Sequence, residues 1–371
     1  MSDCSESVIT PEFYHRKSPP LTKIRVALIG IGNCASSLLQ GLQYYTEDES
    51  RSGLWHRKVG GYGIGDLQVV AAFDIDSKKI GLELADAAFR QPNVAQKYWA
   101  LEPPGINVRE GVLKDGLSSQ LRSMIDARSG TTEKVSSALK ETETDIVVSL
   151  ISSGLDGSSR GYAEAALNAG CSFVNATPSA IASDSELEAR FRSSKLVVAG
   201  DDLMSQFGGT AFHKGILDFI HSRGITVLRS YQLDVGGGTE TLNTLDEDIR
   251  GLKRGMKTAS IAVEVPYQIE TVAGTTDYVD YMQNNRTSYF WIEGRGFLGS
   301  EVRIDIYLKT SDGPNAGNVL FDIIRAVQSA KDKGEYGAVP EICGYGFKKS
   351  PQPSKLGVAQ TGFATNFLRV V

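Results

Sequence analysis

The stretch that most restricts what this chain can fold into is Lys23 to Ser37, KIRVALIGIGNCASS. An apolar, β-branched run stops there at Gly30-Ile31-Gly32, a polar pair and Ala35 follow, and Leu38-Leu39-Gln40-Gly41-Leu42 opens an amphipathic segment. This reads as strand, tight turn and helix. Gly30 supplies the backbone angles of such a turn, Gly32 lets a pyrophosphate approach the main chain, and Ala35 is small enough for helix and strand to pack closely. The helix N-terminus then offers free N–H groups and a positive dipole end to the phosphates.

The second half of the unit strengthens this reading. Leu67 to Phe73 is a further buried strand, and it stops at Asp74. A carboxylate at that tip can accept both hydroxyls of an adenosine ribose and would repel a 2′-phosphate, which favours NAD over NADP. Asp74 lies 44 residues after Gly30, where about 20 are usual. A loop insertion at about Thr46 to Asp66, lying beside the cofactor cleft, accounts for the excess.

The α/β rhythm continues with helical spacing over Ser77 to Phe89, a strand at Asp145 to Ile151, a helix from Arg160 to Ala169, a strand at Ser172 to Asn175, a helix at Ser185 to Ser193 and a strand at Leu196 to Ala199. Strands alternating with helices make a doubly wound parallel sheet. Ser149, Asn175 and Gly200-Asp201-Asp202 end its strands, at the edge where such sheets bind ligands. From Ile225 the strands lengthen and alternate: Thr226 to Val235, Ser288 to Glu293 and Glu301 to Thr310. They predict an antiparallel or mixed sheet, and the helix from Ala316 to Lys333 follows. The fold class is therefore α/β, a Rossmann-like doubly wound parallel sheet with an inserted α+β domain, the catalytic groups meeting at the junction of the two. The expected division is a flexible arm at 1–20, an NAD-binding domain formed by 21–202 and 313–371, and the insert at 203–312.

Composition narrows the partners. A net charge of −5 with both signs dispersed leaves no basic stripe for nucleic acid or an anionic membrane. No apolar run approaches the roughly 20 residues of a membrane span. Met1 to Pro20 is polar and lacks a signal-peptide core, and the scattered Cys4, Cys34, Cys171 and Cys343 fit isolated thiols in a reducing cytoplasm. His213 and His221 share a helical face without a third ligand, so no metal is assigned.

Lys253 and Lys257, four apart, place two ammonium groups on one helix face. In a partly desolvated cleft their repulsion lowers a pKa towards the range of proton transfer; on a solvated face it does nothing. Lys348-Lys349 carries the same two readings, and Arg286, Asp312 and Asp201 to Ser205 add charged or hydrogen-bonding groups near element ends. Spacing alone supports NAD dependence with an anion-binding second domain.

The run Gly30-Ile31-Gly32-Asn33-Cys34-Ala35-Ser36-Ser37, with Ala71 to Asp76, Phe173-Val174-Asn175-Ala176, Ile181 to Asp184, Gly200-Asp201-Asp202, Glu293-Gly294-Arg295 and Pro314 to Gly317, resembles the myo-inositol-1-phosphate synthase family of the short bacterial and archaeal type. The resemblance runs from Ile24 to about Pro351. It implies a homotetramer built through the second sheet, and a cyclase that uses NAD without consuming it: a hexose 6-phosphate, nominally glucose 6-phosphate, is oxidised at carbon 5, the enolate from carbon 6 closes on carbon 1, and the ketone is reduced again. Carried over by position, Lys253, Lys257 and Lys349 match active-site lysines, with Lys348 an alternative for the last. Asp202 and Asp312 match acidic positions, Ser205 falls in the phosphate-binding turn, and Gly30, Gly32, Asn33, Cys34, Ala35, Asp74, Ser149 and Asp201 fall on the cofactor side.

The departures lie on the substrate side. Gly238 stands where an asparagine is usual, Glu240 where an aspartate is, Asp234 where another asparagine is, Arg286 where a lysine is, and Met204 at a position often occupied by lysine. Arginine keeps the charge for a phosphate but cannot give up its proton. These changes admit an altered substrate, with fructose 6-phosphate closing to a five-membered cyclitol phosphate as the alternative. A polyol-phosphate dehydrogenase and an inactive NAD-binding homologue are further readings.

Overall fold

The computed structural model describes residues 23–368, and the arm expected over Met1 to Pro20 lies outside them. Strands β1 Ile24–Ile29, β2 Leu67–Asp74, β3 Arg109–Glu110, β4 Ile146–Ser149, β5 Ser172–Asn175 and β6 Val198–Ala199 form one parallel sheet in the order β3-β2-β1-β4-β5-β6. Every residue of β4 and β5 is buried, because helices cover both faces and neither alternates with solvent. On one face Val26, Leu28 and Val148 pack against Leu38, Leu39, Ile323 and Ile324 of the helices Asn33–Glu47 and Asp312–Asp332. On the other, Ala27, Val147 and Phe173 meet Val135, Tyr162 and Phe191 of the helices Thr132–Glu141, Asp156–Ala169 and Ser185–Ser193. The order reverses between β1 and β4, and the crevice at their carboxyl ends is where such sheets take ligands.

Two expectations about local structure change. Over Ser77 to Phe89 only Leu84–Ala87 is α-helical. Gly81 adopts φ +84°, and the Glu83 side chain accepts from the Ala85 N–H and starts a new turn there. The insertion after the first helix, expected beside that crevice, packs instead on the helix Asp312–Asp332. Arg325 of that helix, wholly buried, donates to the carbonyls of His56 and Arg57, and His56 Nδ1 lies 2.7 Å from Asp322 Oδ2. A buried guanidinium needs this many acceptors, and the loop carbonyls supply them.

After β6 the chain enters a second sheet of β7 Thr226–Gly236, β8 Glu270–Tyr278, β9 Asn285–Arg295 and β10 Glu301–Ser311, in the order β10-β9-β7-β8. β7 and β8 are parallel and the other pairs antiparallel. The strand β8 was not expected: its ETVAGTTDY sequence lacks apolar alternation. Leu217, Ile220 and Ile261 of the helices Gly209–Ser222 and Glu247–Ala262 cover one face of this sheet, against Val227, Ala273 and Ile292. Tyr231, Leu233, Tyr289, Trp291 and Tyr307 line the opposite, more open face. No helix among the described residues is long and apolar enough to cross a membrane.

Candidate active site

The glycine turn joins β1 to the helix Asn33–Glu47. Gly30 has φ +84°, and a Cβ there would lie 3.1 Å from backbone atoms of Leu150 and Ile151, so β1 and β4 approach too closely for any side chain. At Gly32 a Cβ would meet nothing within 4 Å, and no side chain caps the helix that follows. The helix thus begins uncapped beside open space at Gly32, which suits a phosphate group. Asp74 organises the turn: Oδ2 accepts from the Ile31 N–H at 2.8 Å and Oδ1 from the Asp76 N–H at 2.9 Å. Each oxygen keeps further acceptor capacity, and the carboxylate borders the crevice.

Asn33 and Cys34 border it as well. Asn33 Oδ1 accepts from the Val94 N–H at 2.8 Å, and burial together with the Asp312 charge pushes the Cys34 thiol up to about 12. Cys34 is therefore an inert surface. Ala35 is wholly buried beneath the turn, which is the packing role the sequence suggested. Ser149 and Asp201 do not border the crevice. Ser149 is wholly buried at the end of β4, while Asp201 accepts from Asn175 Nδ2, the N–H groups of Ile181, Ala182 and Ser183, and Ser183 Oγ. Asp201 thus fixes the loop after β5.

Four cations converge on the same crevice from distant parts of the chain, each against its own carboxylate. Lys253 Nζ is 2.5 Å from Glu240 Oε1, Lys257 Nζ 2.6 Å from Asp234 Oδ2, Lys348 Nζ 2.8 Å from Asp202 Oδ1, and Arg286 Nη2 2.8 Å from Asp312 Oδ2. The expectation that Lys253 and Lys257 lower each other's pKa does not hold for Lys253. Burial pulls it down, but Glu240 and Asp202 outweigh burial and raise it. The lowered lysine is Lys348, which burial, opposed by Asp202 and helped by Lys253 and Lys257, brings to about 8.

Lys348 also corrects the choice between the two C-terminal lysines. The backbones of Asp201 and Lys349 exchange N–H···O bonds of 2.9 and 3.0 Å. Successive side chains of an extended segment point opposite ways; Lys348 faces Asp202 and the crevice, and Lys349 does not border it. Asp202 itself has φ +60° and is 4% exposed. Left-handed backbone at a buried non-glycine residue is a cost that functional sites commonly carry.

Glu240 bridges the two sheets' loops, accepting from the N–H and Oγ of Ser153 after β4 as well as from Lys253. Gly238, Glu240, Ser205, Arg286, Asp312 and Asp202 all border the cavity of about 310 Å³ in this crevice. Ser205, Arg286, Asp312 and Lys348 also border an adjoining recess of about 30 Å³ with Gly208, Gly209, Thr210 and Lys257. Sequence reasoning missed Ser153, Lys79 and Asn93. Lys79 Nζ, 4% exposed as a residue, donates to Ile31 O and Asn93 Oδ1 beneath the turn; a lone lysine five residues after Asp74 carries no pattern. Ser152-Ser153-Gly154 after β4 was a usable signal of the strand-end kind. Among the described residues no group of three or more His, Cys, Asp or Glu is placed to hold a metal.

A parallel sheet with its crevice at the switch point, walled by paired lysines and carboxylates, defines a Rossmann-like α/β protein. A family model of myo-inositol-1-phosphate synthase matches residues 208–313. The inositol-3-phosphate synthase of Corynebacterium glutamicum is 36% identical over 340 residues, covering 89% of this chain and 94% of that protein. That of Mycobacterium tuberculosis is 34% identical over 347 residues, covering 91% and 95%. The crystal structure of Ari2 matches with a TM-score of 0.72 at 28% identity, over 93% of this chain and 99% of that one. A myo-inositol-1-phosphate synthase-related protein from Thermotoga maritima, with a TM-score of 0.75 at 19% identity over 92% and 98%, shares the fold. The chain belongs to the inositol-phosphate synthase family, and so to the isomerase-type cyclases.

Proposed function

We propose that this protein is an NAD-dependent cyclase converting a hexose 6-phosphate, nominally glucose 6-phosphate, to a cyclitol phosphate by oxidation, enolisation, intramolecular aldol closure and re-reduction. The observation that carries the reading is the convergence of Lys253, Lys257, Lys348 and Arg286 on one crevice beside the glycine turn. The residues present fit a dinucleotide: the uncapped helix after Gly32 suits its pyrophosphate and Asp74 its ribose. When bound, NAD supplies a hydride acceptor that becomes the donor for the final reduction.

The chain's own groups divide the remaining work. Lys348, brought to about 8, holds a usable unprotonated fraction near neutrality and takes the proton whose loss forms the enolate. Lys253, kept charged by Glu240, and Lys257 against Asp234 stabilise the negative oxygens that develop in enolisation and ring closure. Arg286 retains its proton and anchors the phosphate with Ser205 at the recess beside Gly208–Thr210, where the helix Gly209–Ser222 begins. Segment 203–312 is read as the catalytic and oligomerisation insert, with a homotetramer formed through its sheet, and the cytoplasm as the site of action.

Of the five positions that depart from the family pattern, Gly238, Glu240 and Arg286 border the cavity and Asp234 borders the adjoining recess. That favours a second substrate reading, fructose 6-phosphate closing to a five-membered cyclitol phosphate. Purified protein with NAD and each sugar phosphate, followed by proton and phosphorus NMR, tests both. A cyclitol phosphate with no net NADH supports the cyclase, and its ring size picks the substrate. Stoichiometric NADH points to a polyol-phosphate dehydrogenase instead, and consumption of neither sugar overturns the reading.

A further inference from the structure

Behind Lys257 runs a buried polar chain that ends on Gln232, with the unbonded His213 ring beside it. Asp234, 1% exposed, accepts from Lys257 Nζ on Oδ2 at 2.6 Å and from Ser288 Oγ on Oδ1 at 2.6 Å. Gln232 Nε2 donates to both carboxylate oxygens, at 2.9 and 3.0 Å. Gln232 is itself wholly buried, and its Oε1 has no partner; nor has either ring nitrogen of His213, wholly buried beside it with the Phe290 ring 5.5 Å away. Burial, against the pull of Gln232 and Asp234, brings the imidazole down to about 4. The ring is therefore neutral at working pH and carries one N–H to give.

A primary amide between a carboxylate and an imidazole has two orientations. Only the one with Oε1 towards His213 keeps an oxygen from facing Asp234. The neighbouring helix is fitted to this arrangement, since a Cβ at Gly209 would lie 2.2 Å from Gln232 Nε2 and 3.0 Å from Ser288 Oγ. The groups facing Asp234 are then Lys257 from the helix Glu247–Ala262, Arg286 and Ser288 from β9, Gln232 from its own strand, and His213 behind Gln232 from the helix Gly209–Ser222.

We infer that His213 and Gln232 are positioning residues: the imidazole N–H orients the Gln232 amide, and the amide holds the Asp234 carboxylate aimed at Lys257, which fixes where the Lys257 side chain meets the substrate. This rests on Lys257 being an active-site cation. Gln232→Met removes the amide at similar volume, His213→Leu removes the ring donor, and His213→Gln keeps an N–H. With selectively carbon-13-labelled aspartate and no substrate, the Asp234 carboxylate should titrate about one unit higher in Gln232→Met, part-way up in His213→Leu, and near wild type in His213→Gln.

In turnover, kcat should fall about tenfold in Gln232→Met with KM within about threefold, and the double variant with His213→Leu should be no worse than Gln232→Met alone. An unchanged Asp234 titration in a folded Gln232→Met protein, or additive losses in the double variant, overturns the inference. If Gln232→Met does not fold, the contrast of His213→Leu with His213→Gln makes the same comparison. Full activity in Lys257→Ala would sink the role of Lys257, while the titration would still report on the two positioning residues.

Discussion

One peptide bond separates Lys348 from Lys349, and the extended pairing of that segment with Asp201 and Asp202 gives only Lys348 a place in the crevice. Replacing Lys348 by Met should cost at least about a hundredfold in kcat, whereas Lys349→Met should stay near wild type in steady-state assays. On the proposed role of unprotonated Lys348 as the base, with burial bringing its ammonium down to about 8, kcat should climb as pH rises to about 8 and then level off. That limb should vanish in any residual activity of Lys348→Met. Asp234 behaves in the opposite sense. Burial would raise its carboxyl, but Lys257 and Arg286 overcome this and hold it at about 2, below the ordinary 3.8. Its stabilisation is thus fully present above pH 3.8 and is lost as pH falls through about 2, on the order of 2 kcal/mol. Asp234→Asn should flatten the acid limb of a denaturation series over that window.

At the scale of elements, the turn from β1 into its helix was readable because every requirement is local: left-handed backbone at Gly30, open space at Gly32, a small side chain at Ala35. Gly30→Ala should cost about 1–3 kcal/mol from backbone strain alone, with more from crowding against Leu150 and Ile151. Calorimetric titration with NAD should then give no measurable binding to a protein that melts lower. The helix expected over Ser77 to Phe89 was not realised, for a reason the pattern does not carry. Asp76 caps a turn, Gly81 turns left-handed, and Lys79 is drawn under the glycine turn to Ile31 O and Asn93. The strand β8 escaped notice because its place beside β7 comes from backbone pairing and the cover of the helix Glu247–Ala262, neither of which leaves an alternating trace.

At the scale of the whole molecule, the Asp322–Arg325 pair ties the long helix to the inserted loop and to Tyr345, whose Oη donates to Asp322 at 2.6 Å. Both charges are wholly buried, so Asp322→Ala strands a guanidinium and should remove about 3–5 kcal/mol, read as a large fall in melting temperature. Removing the solvated Glu141 partner of Arg109 should leave that temperature unchanged. On the open face of the second sheet, Tyr231 stacks on Trp291 at 5.4 Å. If that face joins copies of the chain, Trp291→Asp should shift light scattering from a tetramer to smaller species. By itself, the sequence determined the parallel sheet, the glycine turn, three of the four strands of the second sheet and the types of charged group at the site, because these depend on patterns a few residues long. Only the tertiary structure decided which carboxylate holds which cation, that Lys348 and not Lys349 faces the crevice, that Asp201 secures a loop, and that the insertion turns away from the crevice. Those outcomes depend on contacts between residues far apart in the chain, and burial then sets the charge state of each group.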